Sequence, residues 1–329
     1  MCASLLLRAG QYPLGGVSAR PLNPRVRAVG LLLCYVAGVF LLGALLAPWL
    51  FQLGQWAASE FAPFHALASQ PFHRYVNRCL LVAALAGLWP LLRALALADR
   101  RALGLTSPLA ARRELGRGLA LGFGSLLLAA LAMAGAGVRS FNFSHPAPVF
   151  LQLLVTATLA AVVVALLEET IFRGVVFGAL RAAWPLSAAL VASAALYSAV
   201  HFLARVEHTG PVGWASGLAL LPRMMRGIAA PENLLPALTL TVGGVALALA
   251  CLRTGSLWFA IGLHAGWVFW LKVFKTVTLP GAGAGGAFWG TDKLLDGWLA
   301  LLVMAAVLVV VARLPQTPPP CQDETQSRH

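Results

Sequence analysis

Five ionisable residues lie within long apolar runs of the sequence. Glu168, Glu169 and Arg173 occur together in LLEETIFRG, His201 lies in ALYSAVHFL, and His264 lies in IGLHAGWVF. Ionisable side chains are costly inside a membrane and usually belong to a functional site. Histidine and glutamate are also common proton-transfer groups in catalysis. We therefore expect these five residues to form one catalytic site.

Helical spacing distinguishes the two glutamates. Glu169 and Arg173 are four residues apart with the glutamate on the N-terminal side, which is the favoured orientation for an ion pair. Glu168 points about 100° away around the helix and has no charged partner at such a spacing. Glu168 is therefore the carboxylate predicted to act as a general base.

A carboxylate and two imidazoles suit a hydrolytic reaction. The carboxylate would deprotonate water, one imidazole would share the proton, and the other would donate a hydrogen bond to the oxyanion. Two histidines and one glutamate are also a known set of zinc ligands. The sequence lacks the HExxH motif, in which both histidines share one helix face, but spacing alone leaves a zinc site open.

The segments that carry these residues indicate a membrane protein. Of the 329 residues, 60% are hydrophobic and 11% are charged, whereas soluble domains have roughly 45–50% apolar and about 25% charged residues. A span needs about 20 residues, so we expect an all-α polytopic fold with about eight transmembrane helices. The site residues lie on helices 4, 5 and 7 of this set. The eight apolar runs are residues 29–53, 79–98, 118–137, 148–181, 185–203, 233–252, 255–274 and 294–313.

The sequence predicts one membrane domain between two tails. Residues 29–313 form the membrane domain, residues 1–28 an N-terminal cytoplasmic tail, and residues 314–329 a disordered C-terminal tail. An even number of spans places both tails on one side, and the excess of Lys and Arg there predicts the cytoplasm. The net charge of +13 has this origin, so nucleic-acid binding is not expected. Residues 205–231 are predicted to be interfacial or re-entrant.

Three motifs resemble those of a known family. Residues 168–173 match EExxxR, residues 197–201 match FxxxH with Tyr197 in place of Phe, and His264 lies where an HxxxN motif or a close variant is expected. In this order, and within apolar runs, they make the chain similar to the CAAX protease and bacteriocin-processing (ABI/CPBP) family of intramembrane glutamic endopeptidases. The resemblance is specific over residues 148–275 and rests elsewhere on the number of spans.

The resemblance implies a role for each of the five residues. Glu168 would activate the water with help from His201, Glu169 and Arg173 would orient and stabilise the site, and His264 would contribute to the oxyanion hole. It also implies that neither a metal ion nor another cofactor is required.

One residue departs from the family pattern. Val268 stands where the family usually has Asn, and valine cannot donate a hydrogen bond. Either another group supplies the donor, or the enzyme is slower, or the chain is not a protease. The Trp267 indole and the Ser198 hydroxyl are the candidate replacements.

The implied function is an intramembrane endopeptidase that cuts near a membrane-anchored terminus of a protein or peptide substrate. Its partners would be that substrate and the lipid bilayer, and the Ala-, Leu- and Arg-rich composition favours a bacterial inner membrane. Two alternatives stay open. One is a family-like scaffold with little or no catalysis that serves peptide binding, immunity or membrane-complex assembly. The other is a proton-coupled carrier, which the absence of an inverted repeat disfavours.

Overall fold

The computed structural model of the chain describes residues 24–99, 103–105, 107, 109, 111–283 and 286–316. These residues form a bundle of apolar helices, so the predicted all-α membrane fold is confirmed. The two predicted tails lie largely outside the described residues. The helices are α1 (Pro24–Glu60), α2 (His65–Ala68), α3 (Phe72–Ala94), α4 (Arg112–Gly135), α5 (Ala147–Glu169), a π-helical segment (Thr170–Phe177), α6 (Gly178–Ala183), α7 (Leu186–His201), α8 (Ser216–Met225), α9 (Leu234–Thr254), α10 (Trp258–Val277) and α11 (Trp298–Ala312).

Each of the eight apolar runs coincides with a helix or with a continuous helical segment. The described residues include five segments long and apolar enough to cross a membrane: Val26–Glu60, Phe72–Ala94, Arg112–Gly135, Ala147–Ala183 and Pro231–Thr254. Helices α7 and α11 are apolar but shorter, with 16 and 15 residues. The chain is thus an integral membrane protein with several spans, and the number of eight crossings stays a prediction.

The helix boundaries differ from the predicted runs by up to seven residues, at the end of α1 and at the start of α3. At α3 the difference has a local cause. This helix begins at Phe72 rather than at residue 79, because Pro71 has the extended backbone that precedes a helix. The first turns of α3 contain polar residues, so they do not stand out as an apolar run in the sequence. Their apolar side chains are nevertheless buried, since Phe72 and Tyr75 pack in one cluster with Ala47 of α1.

Helices α4 and α10 approach each other backbone to backbone through two pairs of glycines. A Cβ atom on Gly118 or Gly122 would overlap the backbone of α10, and one on Gly262 or Gly266 would overlap that of α4. Small residues four apart permit this close contact between membrane helices. His264 lies two residues from each glycine of α10, about 200° around the helix. It therefore faces away from α4.

The fourth apolar run forms one helical segment made of α5, the π-helical segment and α6. The π-helical segment begins at Thr170, directly after the glutamate pair that ends α5. Such turns are rare and occur frequently at functional sites. The irregular backbone thus coincides with the EExxxR motif.

Residues 205–231 contain α8, which packs against α1. A Cβ atom on Gly217 would overlap the backbone of Ala44, and Leu220 and Met224 are buried in the cluster that includes Ala47. This contact places α8 beside the central part of the 37-residue α1. The interfacial and re-entrant alternatives both stay predictions.

A short β-ribbon joins the end of α4 to the end of α10. Strand β1 (Arg139–Phe141) pairs antiparallel with β2 (Thr278–Pro280). The buried Arg139 guanidinium donates hydrogen bonds to the hydroxyl and the carbonyl oxygen of Thr278. The ribbon was not predicted, because a strand of three residues is too short to show an alternation of apolar and polar side chains. It fixes the C-terminal end of the helix that carries His264.

Candidate active site

The two glutamates at the end of α5 lie in different environments. The Glu169 side chain has no exposed surface, while 26% of the Glu168 side chain is exposed. Adjacent residues on a helix point about 100° apart, so one carboxylate enters the bundle and the other borders an opening. Helical spacing predicts that the two carboxylates point in different directions, but not which of them is exposed.

Arg173 forms the expected ion pair with Glu169. Its Nη1 lies 2.9 Å from Glu169 Oε1, and both side chains are buried. Its Nη2 donates a hydrogen bond to the Gly244 carbonyl oxygen on α9 at 3.4 Å, and its guanidinium lies 4.3 Å from the centre of the Tyr197 ring on α7. Arg173 therefore connects the α5 segment to two other helices.

His264 is held by the same carboxylate. Its Nδ1 lies 2.7 Å from Glu169 Oε1. An ionised carboxylate only accepts hydrogen bonds, so the Nδ1 of His264 carries the proton and Nε2 faces the remaining site. Nε2 lies 3.5 Å from the Tyr197 hydroxyl and 3.7 Å from Glu168 Oε2.

His201 is oriented by the backbone of its own helix. Its Nδ1 donates a hydrogen bond of 2.7 Å to the Tyr197 carbonyl oxygen one turn earlier. This fixes the proton on Nδ1 and directs Nε2 toward Glu168 Oε2, at 3.5 Å. Two imidazole nitrogens from two helices thus converge on one oxygen of Glu168. The structure brings together all five residues that the sequence analysis selected.

The formal charges of this cluster nearly cancel. Glu168 and Glu169 contribute two negative charges and Arg173 one positive charge, which leaves one negative charge when both imidazoles are neutral. Uncompensated charge is costly away from water. One additional proton on His201, His264 or Glu168 makes the site neutral. The site is therefore suited to hold one exchangeable proton.

The two candidate replacements for the missing Asn are already engaged. The Trp267 indole N–H donates to the Ser125 hydroxyl at 3.1 Å, and the Ser198 hydroxyl donates to the Ala237 carbonyl oxygen at 2.9 Å. Val268 is buried in an apolar cluster with Ala161. Neither candidate has a donor free for a substrate.

Tyr197 is the site residue that sequence reasoning undervalued. The motif comparison treats Tyr197 only as a substitute for Phe, yet its ring contacts Arg173 and His201 and its hydroxyl faces His264. The available signal was its position one helical turn before His201, which places it on the same face. A hydroxyl at that position necessarily adds a donor to the site.

The described residues include no group of three or more His, Cys, Asp or Glu side chains arranged to hold a metal ion. The Nδ1 atoms of both histidines are committed to protein oxygens. Only the two Nε2 atoms remain for other partners. Catalysis without a metal ion stays a prediction.

The described residues thus form an apolar helical bundle with a cluster of glutamate, arginine and histidine side chains at its centre. Residues 150–270 match the family described as type II CAAX prenyl endopeptidase Rce1-like. The matched segment contains all five site residues, so the resemblance inferred from the motifs is confirmed and the chain carries an Rce1-like domain. This family supports a general role as an intramembrane protease. Neither the curated proteins nor the solved structures include a match.

Proposed function

We propose that this protein is an intramembrane endopeptidase that hydrolyses a peptide bond with water activated by Glu168. The observation that carries the proposal is the convergence of two imidazole Nε2 atoms on Glu168 Oε2, at 3.5 and 3.7 Å. A general base must lie within hydrogen-bond reach of the proton that it removes. The His201 and Glu168 side chains are 31% and 26% exposed, whereas Glu168 Oε2 itself is buried and has no hydrogen-bond partner among the described residues. Buried polar atoms are normally hydrogen-bonded, often to water, so we expect a water molecule to bind this oxygen.

The first step is the activation of water. A water molecule within hydrogen-bond distance of Glu168 Oε2 and His201 Nε2 loses a proton to this pair as its oxygen attacks the scissile carbonyl carbon. His201 keeps its Nδ1 proton on the Tyr197 carbonyl oxygen, so Nε2 is the atom that receives or returns the shared proton.

The second step is collapse of the tetrahedral intermediate. Its oxyanion develops on the buried side of the site, next to His264, where preorganised donors lower the barrier. The carbon–nitrogen bond then breaks. The Glu168–His201 pair returns the proton to the leaving amine, which restores the resting charge of the site.

Glu169 and Arg173 act as positioning residues in this mechanism. Glu169 fixes the tautomer of His264 through the 2.7 Å hydrogen bond, and Arg173 balances its charge. Neither group has enough exposed surface to contact a substrate directly. Their contribution is to hold the two histidines and Tyr197 in one geometry.

The substrate class follows from the location of the site in an apolar bundle. We expect a membrane-anchored protein or peptide that is cut near its anchored terminus, in a bacterial inner membrane. Both chain termini are expected on the cytoplasmic side, because the excess of Lys and Arg lies there.

The proposal is tested in the native host by comparing wild type, Glu168→Gln and a deletion strain. Intact-mass analysis of the membrane fraction should reveal a precursor that accumulates equally in the variant and in the deletion. The precursor then identifies the substrate and the cut site. Glu114→Gln, which removes a partly exposed carboxylate outside the site, is the matched control and should process normally.

The scaffold alternative makes the opposite prediction. Val268 removes the donor that the family normally has, which would suit a protein that binds peptides without cutting them. In that case the deletion strain has a phenotype and the Glu168→Gln strain has none. That result overturns the catalytic proposal.

A further inference from the structure

We propose that the Tyr197 hydroxyl donates the hydrogen bond that stabilises the oxyanion during peptide hydrolysis. This inference rests on the proposed function. It assigns to a tyrosine the donor that is missing at Val268. Tyr197 would contact the reacting atoms and is in that sense a catalytic residue.

The hydrogen bonds around His264 leave few alternatives. Trp267 and Ser198 already donate to protein oxygens, and Val268 has no donor. His264 itself donates its Nδ1 proton to Glu169, so a neutral His264 presents a lone pair at Nε2. It becomes an oxyanion donor only when it holds the one exchangeable proton of the site. The Tyr197 hydroxyl can donate in either case.

The position of the hydroxyl is fixed by packing around its ring. The ring is buried, contacts the Phe172 ring edge-on at 5.1 Å between centroids, and contacts the His201 ring at 4.5 Å. Its oxygen lies 3.5 Å from His264 Nε2, which is long for a hydrogen bond from a hydroxyl. The donor is therefore preorganised and only weakly engaged, which leaves it available to a substrate oxygen.

A small cavity lies beside Tyr197 and His264. Its volume is about 30 Å³, and Thr239, Gly243 and Trp267 also line it. This is about the volume that one water molecule occupies in the liquid, so a carbonyl oxygen can enter. Glu168 and His201 do not line the cavity. Attack from their side would therefore push the carbonyl oxygen toward Tyr197.

Arg173 partly offsets the effect that burial and the carboxylates of Glu168 and Glu169 have on this donor. Its guanidinium lies 4.3 Å from the centre of the Tyr197 ring, where a positive charge is attracted by the ring electrons. The withdrawal of electron density makes the phenolic O–H more polar. The same charge also stabilises negative charge that develops at the hydroxyl's partner. No covalent bond of Tyr197 forms or breaks, because it acts only through a hydrogen bond.

The decisive variant is Tyr197→Phe, which removes one oxygen atom and keeps the ring. The substrate is the precursor that accumulates in the Glu168→Gln host, and the enzyme is the purified full chain in liposomes. Loss of one oxyanion donor lowers kcat by about 10²–10³ in a characterised hydrolase, so we expect that decrease with KM unchanged. Tyr75→Phe is the matched control, because its hydroxyl donates to the distant Leu67 carbonyl oxygen; its kcat should stay at the wild-type value.

A second variant distinguishes donation from a structural role. Incorporation of 3-fluorotyrosine at position 197 keeps both the ring and the hydroxyl donor, so its kcat should stay well above that of Tyr197→Phe.

The outcomes separate the two proposals. Wild-type kcat in Tyr197→Phe, with cleavage still abolished by Glu168→Gln, overturns the role of Tyr197 alone. Equal losses of kcat in the phenylalanine and fluorotyrosine variants also overturn it. Absence of any cleavage that depends on Glu168 refutes the proposed function itself.

Discussion

Replacing Arg173 by methionine tests whether the buried ion pair holds the site together. In Arg173→Met, Glu169 keeps a fully buried charge, and His264 is the hydrogen-bond partner that it retains. Removing one member of a buried ion pair costs about 3–5 kcal/mol, because the other charge is left uncompensated. We expect the free energy of unfolding to decrease by that amount.

A second substitution separates charge from packing. In the Arg173→Met chain, Glu169→Gln neutralises the remaining charge and keeps the shape of the side chain. One oxygen, Oε1, contacts both Arg173 and His264, and Oε2 makes no hydrogen bond to any described residue. The amide oxygen can therefore still accept from His264. Coupled neighbours differ from additivity by about 0.5–3 kcal/mol, and we expect the double variant to regain stability within that range.

The assay is a denaturant titration of the purified chain in detergent micelles. Trp267 and Trp270 are buried and report unfolding through their fluorescence. Glu114→Gln removes the exposed ion pair with Arg117 and should cost less than about 1 kcal/mol. Two results would refute a stabilising role for the buried ion pair. One is that Arg173→Met lowers the free energy of unfolding no more than this control does. The other is that the loss in the double variant equals the sum of the losses in Arg173→Met and Glu169→Gln.

Two further predictions concern packing and metal dependence. Gly266→Ala should lower kcat by about 10², because a Cβ there would lie 2.7 Å from the Gly122 carbonyl carbon and a displacement of about 1 Å at a catalytic group has that effect. The control is Gly124→Ala, whose Cβ meets no atom within 4 Å. Equal rates in both variants would contradict the close contact of α4 and α10. Incubation with 1,10-phenanthroline should leave peptide hydrolysis unchanged, because Glu168 and His201 activate the water in this mechanism; a loss of activity that Zn²⁺ restores would establish a metal-dependent reaction.

The parts of the site that depend on local geometry were predictable from the sequence. The four-residue spacing of Glu169 and Arg173 predicts their ion pair, and it forms although a π-helical turn begins between them. The angular separation of adjacent residues predicts that Glu168 does not share the ion pair of Glu169 and Arg173. Apolar runs predict the helices, because in a membrane the backbone hydrogen bonds must be satisfied within each segment.

The contacts between helices were not predictable in the same way. The hydrogen bond from His264 to Glu169 joins residues 95 positions apart, and no spacing rule reaches across that distance. The hydrogen bond from the Trp267 indole to the Ser125 hydroxyl likewise depends on how α4 and α10 pack. The close contact between the glycine pairs of α4 and α10 likewise becomes visible only in three dimensions.

The rate at which purified Glu168→Gln cleaves the identified precursor tests the central claim most directly. The variant is compared in liposomes with wild type and with Glu114→Gln, under identical conditions. A general base contributes about 10²–10⁴ in rate, and glutamine keeps the shape of the side chain. The account therefore predicts a fall in kcat of at least about 10² with KM unchanged. A kcat within threefold of wild type would contradict the claim that Glu168 activates the water.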